Sequence, residues 1–147
     1  MQLKSSYFYR MDTKHENIVF YDGDCGFCNK SVQFILKHEK RKEIYFSAIQ
    51  SDFAQQFFKE NKVPKPDLST FYFYTNHLLF SKSNAAFALL RLMKFPFPIL
   101  QVFRIIPVCQ RDKIYDFVAK RRHKIMKGFC VIPTIEQKER FLVEVEN

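Results

Sequence analysis

The stretch "FYDGDCGFCNKSV" (20–32) sets Cys25 and Cys28 three residues apart, behind Asp22 and Asp24. A Cys-x-x-Cys pair can bind zinc, shuttle electrons as a disulfide, or simply pack. A structural zinc site needs four ligands, usually from two short-spaced pairs. The other thiols, Cys109 and Cys130, do not form a second such pair, and His15, His38, His77 and His123 are scattered. No metal and no cofactor is therefore expected. Packing alone accounts poorly for cysteines flanked by Asp24 and Gly26.

Redox chemistry has a mechanism here. A thiol at a helix N-terminus faces unpaired backbone N–H groups and the positive end of the dipole, both of which favour thiolate. On this reading Cys25 lies exposed at the edge of the first turn and attacks a substrate disulfide. Cys28, one turn inward and shielded, resolves the mixed disulfide. Gly26 frees the tight turn, and Phe27 offers substrate an apolar contact. Lys30 adds positive field or is simply solvated. Asp24 either raises the Cys25 pKa or caps the helix. Asp22 either accepts the Cys28 proton or shapes the turn.

The elements that must hold these groups follow from periodicity. "NIVFYDG" (17–23) and "EIYFSAI" (43–49) read as buried strands. Between them Cys28, Val32, Ile35 and Leu36 share one helical face, giving a βαβ unit. "SDFAQQFFKENK" (51–62) is a helix with Ser51 as its N-cap. "STFYFY" and "LLFSKS", joined at Thr75-Asn76-His77, form an antiparallel hairpin. "SNAAFALLRLM" from Ser83 is a buried helix. "RDKIYDFVAKRRHKI" (111–125) is a further helix, with Asp112 in its first turn and Arg121, Arg122 and Lys124 in its last, as the macrodipole favours. A weak helical pattern follows Pro133. The order β-α-β-α-β-β-α is that of an α/β thioredoxin-like core with a C-terminal helical extension. Residues 17–143 form one domain behind a flexible leader, 1–16.

The chain has 147 residues and a formal net charge of +9. Much of the excess lies in "KHEKRK" (37–42) and "KRRHKIMK" (120–127), which read as solvated helix ends. No secretory signal is visible, so the expected setting is the cytoplasm, where a lasting structural disulfide is not expected. The apolar run "FPFPILQVFRIIPV" (95–108) is too short and too interrupted to span a bilayer. It is expected to pack over the sheet; docking on a membrane or a protein is the lesser expectation.

The chain also resembles the DCC family of thiol-disulfide oxidoreductase-like proteins. "YDGDCGFC" (21–28) matches the Asp-Cys-x-x-Cys signature. The likeness continues through "SNAAFALLRLM", "IIPVCQRDKIYDFVAKRRHKI" and "CVIPTIEQKERFL", over about residues 18–142. The resemblance implies a thioredoxin-like fold and redox activity, with Cys25 and Cys28 as the pair and Asp22 and Asp24 as motif members. Two departures stand out. Thioredoxin-like enzymes usually carry a cis-proline before the third strand, where this chain has Leu68-Ser69; substrate backbone pairing would then use Ser69 or its neighbours. Relatives often show Arg-Tyr where this chain has Arg122-His123.

The expected function is exchange of the Cys25/Cys28 dithiol with a protein or small-molecule disulfide, on the reducing side. The alternative is a non-catalytic thioredoxin-like binding module that uses a basic-aromatic surface for an anionic partner. Nucleic acid is the weaker form of that alternative, because "FYFY" alternates at strand spacing and turns half its rings inward. Cys109 and Cys130 are expected to be reduced and dispensable. Oligomeric state is left open.

Overall fold

The computed structural model describes residues 15–63, 66–125 and 133–143. The first strand, β1 (Ile18–Tyr21), is buried along its whole length, as a central strand covered on both faces must be. It is followed by α1 (Gly26–His38), β2 (Tyr45–Ala48), α2 (Asp52–Glu60), β3 (Tyr72–Thr75), β4 (Leu78–Ser81) and α3 (Lys82–Leu90). The strand order is β2-β1-β3-β4. β1 pairs parallel with β2 and antiparallel with β3, which in turn pairs antiparallel with β4. This mixed sheet with its helices is the expected thioredoxin-like arrangement.

Alternation along β1 divides the interior. Val19 and Tyr21 join Phe46, Phe73, Val32 and Leu89 on the side of α1 and α3. Ile18 and Phe20 join Phe57, Phe58 and Tyr74 on the side of α2. The Phe20 ring lies 4.8 Å from those of both Phe57 and Phe58. Phe71 and Phe73 pack into the first cluster, Tyr72 and Tyr74 into the second. All four rings of "FYFY" are thus engaged by the fold rather than half of them. Ser51 caps α2 as expected, its hydroxyl accepting from Ala54 N–H at 3.2 Å. The hairpin turns on Asn76 and His77, both at positive φ (49° and 61°), as a two-residue turn of the primed type requires.

Beyond the core the chain departs from expectation. Residues 95–108 do not form a packed helix over the sheet. A 3₁₀ segment, Phe97–Ile105, lies against α3, and none of its residues is buried. The run carries three prolines, each without a backbone donor, and this favours the tighter, shorter form. The next helix, α4 (Val108–Ile125), begins three residues before the expected start, so Asp112 leaves the first turn and binds the Ser83 hydroxyl instead. α5 (Ile135–Lys138) follows behind a Thr134 capping box. Within the expected leader, His15 is described, its ring 4.0 Å from that of Tyr45.

The two basic runs are not wholly solvated. Glu39 and Arg122 are buried, each in an ion pair. In both cases the run's pattern hides a side chain that turns inward to meet a partner distant in sequence.

Candidate active site

Where β1 ends, residues 22–25 make a tight turn closed by Cys25 N–H donating to Asp22 O at 3.2 Å. The turn is pressed onto the end of β2. A Cβ on Gly23 would come within 3.1 Å of the Ala48 Cβ, so a side chain there would need the turn or the β2 end to give by a few tenths of an ångström. Gln50 clamps the turn from the same side. It accepts from Gly23 N–H and donates to the Asp22 carboxylate at 2.8 Å. Cys25, with extended backbone, is the N-cap residue of α1, and Gly26 is that helix's first residue. Asp24 therefore does not cap the helix. It is exposed, its N–H donates to Asp22 Oδ1, and its carboxylate lies 3.4 Å from Gln50 Nε2.

The two thiols are placed the other way round from the sequence expectation. Cys25 has no exposed surface, whereas Cys28 is half-buried and lines a cleft of about 580 Å³. The reason lies in how α1, α3 and α4 meet. Cys28 was expected to be shielded on the apolar face of α1, but the space between these helices is left unfilled, and Cys28 borders it. Cys25 belongs to the turn held against the β2 end. The lining is largely apolar: Phe27, Phe34 and Ile35 from α1, Leu89 and Leu90 from α3, and Val118 from α4. Phe27 thus stands where an apolar contact was expected.

α4 supplies the group that the sequence reading missed. Tyr115, Val118, Ala119 and Arg122 recur at i, i+3, i+4 and i+7 and form that helix's wall of the cleft. The helix is held by Ser83 bonding Asp112, by Lys82 and Asp116 at 3.1 Å, and by Phe71 N–H donating to the Tyr115 hydroxyl at 2.7 Å. Burial pushes the Tyr115 phenol up to about 12, so it stays neutral. Arg122 is buried and makes three contacts. Nη1 donates to Cys28 Sγ at 3.2 Å, and Nη2 meets Asp22 Oδ2 at 3.1 Å and the Leu68 carbonyl. The signal that could have found Arg122 is its place on the Tyr115 stripe; the surrounding "KRRHK" made it look solvated.

These contacts decide what each acid can do. The Asp22 carboxylate is buried and already accepts from Asp24 N–H, Gln50 and Arg122, so it orients the guanidinium rather than standing free beside Cys28. Burial raises the Cys28 thiol from 9.0 to about 12, and its hydrogen bond to Cys25 adds to this. Arg122 and the Asp22 backbone N–H oppose the rise. Ser69 is exposed, and both its N–H (2.9 Å) and its hydroxyl donate to Asp67. Those bonds hold the Asp67 carboxyl below its usual value. A substrate strand pairing at Ser69 would have to displace them. A cis-proline is present at Phe95–Pro96, but none precedes β3 among the described residues. Those residues also contain no cluster of three potential metal ligands. Cys109 is exposed, and Cys130 lies outside the described residues.

The chain is 33% identical over 127 residues to the uncharacterized protein YuxK of Bacillus subtilis, covering 85% of this chain and 93% of that one. It is 29% identical over 121 residues to the chloroplastic DCC family protein At1g52590 of Arabidopsis thaliana, covering 82% and 69%. No solved structure matches at a significant level. Residues 19–128 match the model of the DCC1-like thiol-disulfide oxidoreductases, a span that includes the cysteine turn, the cleft walls and Arg122, and the chain belongs to that family.

Proposed function

We propose that the chain reduces disulfides by exchanging its Cys25/Cys28 dithiol with a substrate through a mixed disulfide formed from the cleft side. The observation that carries this reading is the guanidinium of Arg122, held 3.2 Å from Cys28 Sγ at the wall of an apolar cleft. A disulfide lodged there meets Cys28 first, because Cys25 is enclosed. Cys28 reacts through the small thiolate fraction that Arg122 and the Asp22 N–H sustain against burial, attacking one substrate sulfur and expelling the other as a thiolate. Cys25 then attacks Cys28, which closes the protein disulfide and releases the second substrate thiolate. The two protons lost by the dithiol end on the two released thiols, so one disulfide is reduced and one is formed.

The raised Cys28 pKa supports the reducing direction. A couple whose thiolate is poorly stabilised gains more by becoming a disulfide, the reverse of a strong oxidant with a stabilised reduced form. Asp22 acts by holding Arg122, Phe27 by offering apolar contact, and Gly26 by letting the helix start close to the turn. Asp24 is exposed, and Ser69 is the candidate for backbone pairing.

Trapping tests the order of attack. Cys25→Ser should accumulate a mixed disulfide at Cys28, which mass spectrometry can identify, while Cys28→Ser traps little and neither variant reduces insulin. Accumulation on Cys28→Ser alone would return the attack to Cys25. Zinc bound one per chain in the purified protein would sink the redox reading.

A further inference from the structure

Fourteen large apolar side chains are exposed among the described residues, and ten of them fall between Phe95 and Val118. Soluble monomers rarely gather so much apolar surface in one stretch, and such patches mark interaction sites. The 3₁₀ segment is anchored from one side only. Phe97 meets the rings of Phe34 and His38 (each 5.1 Å), and Gln101 bonds the Phe87 carbonyl. Ile99, Val102, Phe103 and Ile105 of the segment are exposed, at 52 to 83%. Phe95, at 79%, precedes them, and Ile114 and Phe117 are exposed on the helix that follows, α4.

The charge around this surface has one sign. Lys94, Arg104, Lys113, Lys120 and Arg121 are exposed. The two acids in the region are drawn toward α3: Asp112 bonds Ser83, and Asp116 pairs with Lys82 at 3.1 Å. Residues 95–108 line neither the Cys28 cleft nor the smaller cleft beside Tyr21 and Phe141. We infer that this apolar, basic surface docks on an anionic lipid surface, inserting the outward side chains of the 3₁₀ segment between headgroups that the flanking lysines and arginines attract. A fluid interface receives protruding apolar groups without a matching pocket, and anionic headgroups complete the charge. A second copy of this chain would set like charges against each other. Among the described residues no helix is long and apolar enough to cross a membrane, so the contact is peripheral. Val118 belongs both to this surface and to the cleft wall, which puts the Cys28 cleft beside the docked face.

Flotation of the full chain with phosphatidylcholine vesicles, with and without phosphatidylglycerol, tests this without any redox readout. The protein should float with the anionic vesicles, not with the neutral ones, and retention should fall as salt is raised. Phe103→Asp with Ile105→Asp replaces exposed residues; it should keep the melting temperature and insulin reduction and lower the bound fraction about tenfold or more. Arg104→Glu should weaken retention at low salt only, and it serves if the double variant fails to fold. Absence of flotation with anionic vesicles, equal flotation with neutral ones, or full retention by the double variant would overturn the inference. So would a dimer in sedimentation that Ile105→Asp dissolves, since the surface would then belong to a second copy.

Discussion

A guanidinium beside a half-buried thiol gives the cysteine pair opposing pressures that substitution can separate. Burial holds Cys28 near 12, so its alkylation should keep accelerating with pH well past 9, where an ordinary thiol levels off. Arg122→Leu removes the charge that lowers this value and should slow alkylation at any given pH. Asp22→Asn frees the guanidinium from its carboxylate partner and should speed it. Rates of iodoacetamide labelling across pH check both signs, and equal effects of the two substitutions would refute the electrostatic assignment. Stability carries the same sign. Between pH 9 and 12 the unfolded chain sheds this proton while the folded protein keeps it, so the full contribution is present below 9 and is lost as pH rises through that interval. Tyr115 acts in the same direction from 10 upward. Cys28→Ser should flatten part of the alkaline fall in melting temperature. Arg122→Lys keeps the charge but not the fork that reaches three partners, and should lower disulfide reduction about tenfold.

At the scale of elements, the tail matters more than its weak pattern suggests. Residues 140–142 lie along the free edge of β2: Phe46 N–H donates to Arg140 O, Leu142 N–H to Phe46 O, and the Ser47 hydroxyl to Leu142 O, at 2.7–2.8 Å. An edge strand that would otherwise invite pairing with another chain is thereby covered. Arg140 anchors the tail, its guanidinium 2.6 Å from buried Glu39 and bonded to the Ile44 carbonyl. Arg140→Leu leaves that carboxylate uncompensated and should cost about 3–5 kcal/mol in denaturant unfolding. Adding Glu39→Leu should recover much of the loss, because a well-packed apolar pair replaces a buried ionic one at little cost. Ser51→Ala removes the α2 cap and should cost about 1 kcal/mol. No measurable change on Ser51→Ala would mean that packing of Phe57 and Phe58 alone holds that helix end.

For the molecule as a whole, the core on the α1 and α3 side is shared with the Cys28 cleft, while the core on the α2 side stands apart from it. The α2-side cluster around Phe20 contains none of the residues that line the Cys28 cleft. Phe20→Ala should therefore destabilise by about 3–5 kcal/mol while the surviving folded fraction keeps its thiol chemistry. Cys109, exposed on α4 and remote in sequence from the pair, should tolerate Cys109→Ser with unchanged insulin reduction and melting temperature. A lost activity on that substitution would bring a third thiol into the cycle.

Local rules were enough for much of this protein. A continuous apolar run, an amphipathic stripe, a cap at Ser51 and turn residues at Asn76-His77 each report short-range physics, and so the element order and the site of the cysteine pair were legible from residue types and spacing. Accessibility was not, because it depends on which helices leave space between them. Cys25 and Cys28 look alike in a pattern, and only the unfilled volume between α1, α3 and α4 made Cys28 the thiol on the cleft wall. Arg122 lies about a hundred positions from Asp22 and 94 from Cys28, within a basic run that reads as solvent-facing. Its role emerges when α4 is docked by Ser83, Lys82 and Phe71. The exposed 3₁₀ segment follows the same logic: its composition predicts burial, but the sheet face it would have covered is already occupied by α1 and α3. Periodicity tells each segment which face to bury; only packing decides which partner is left to bury it.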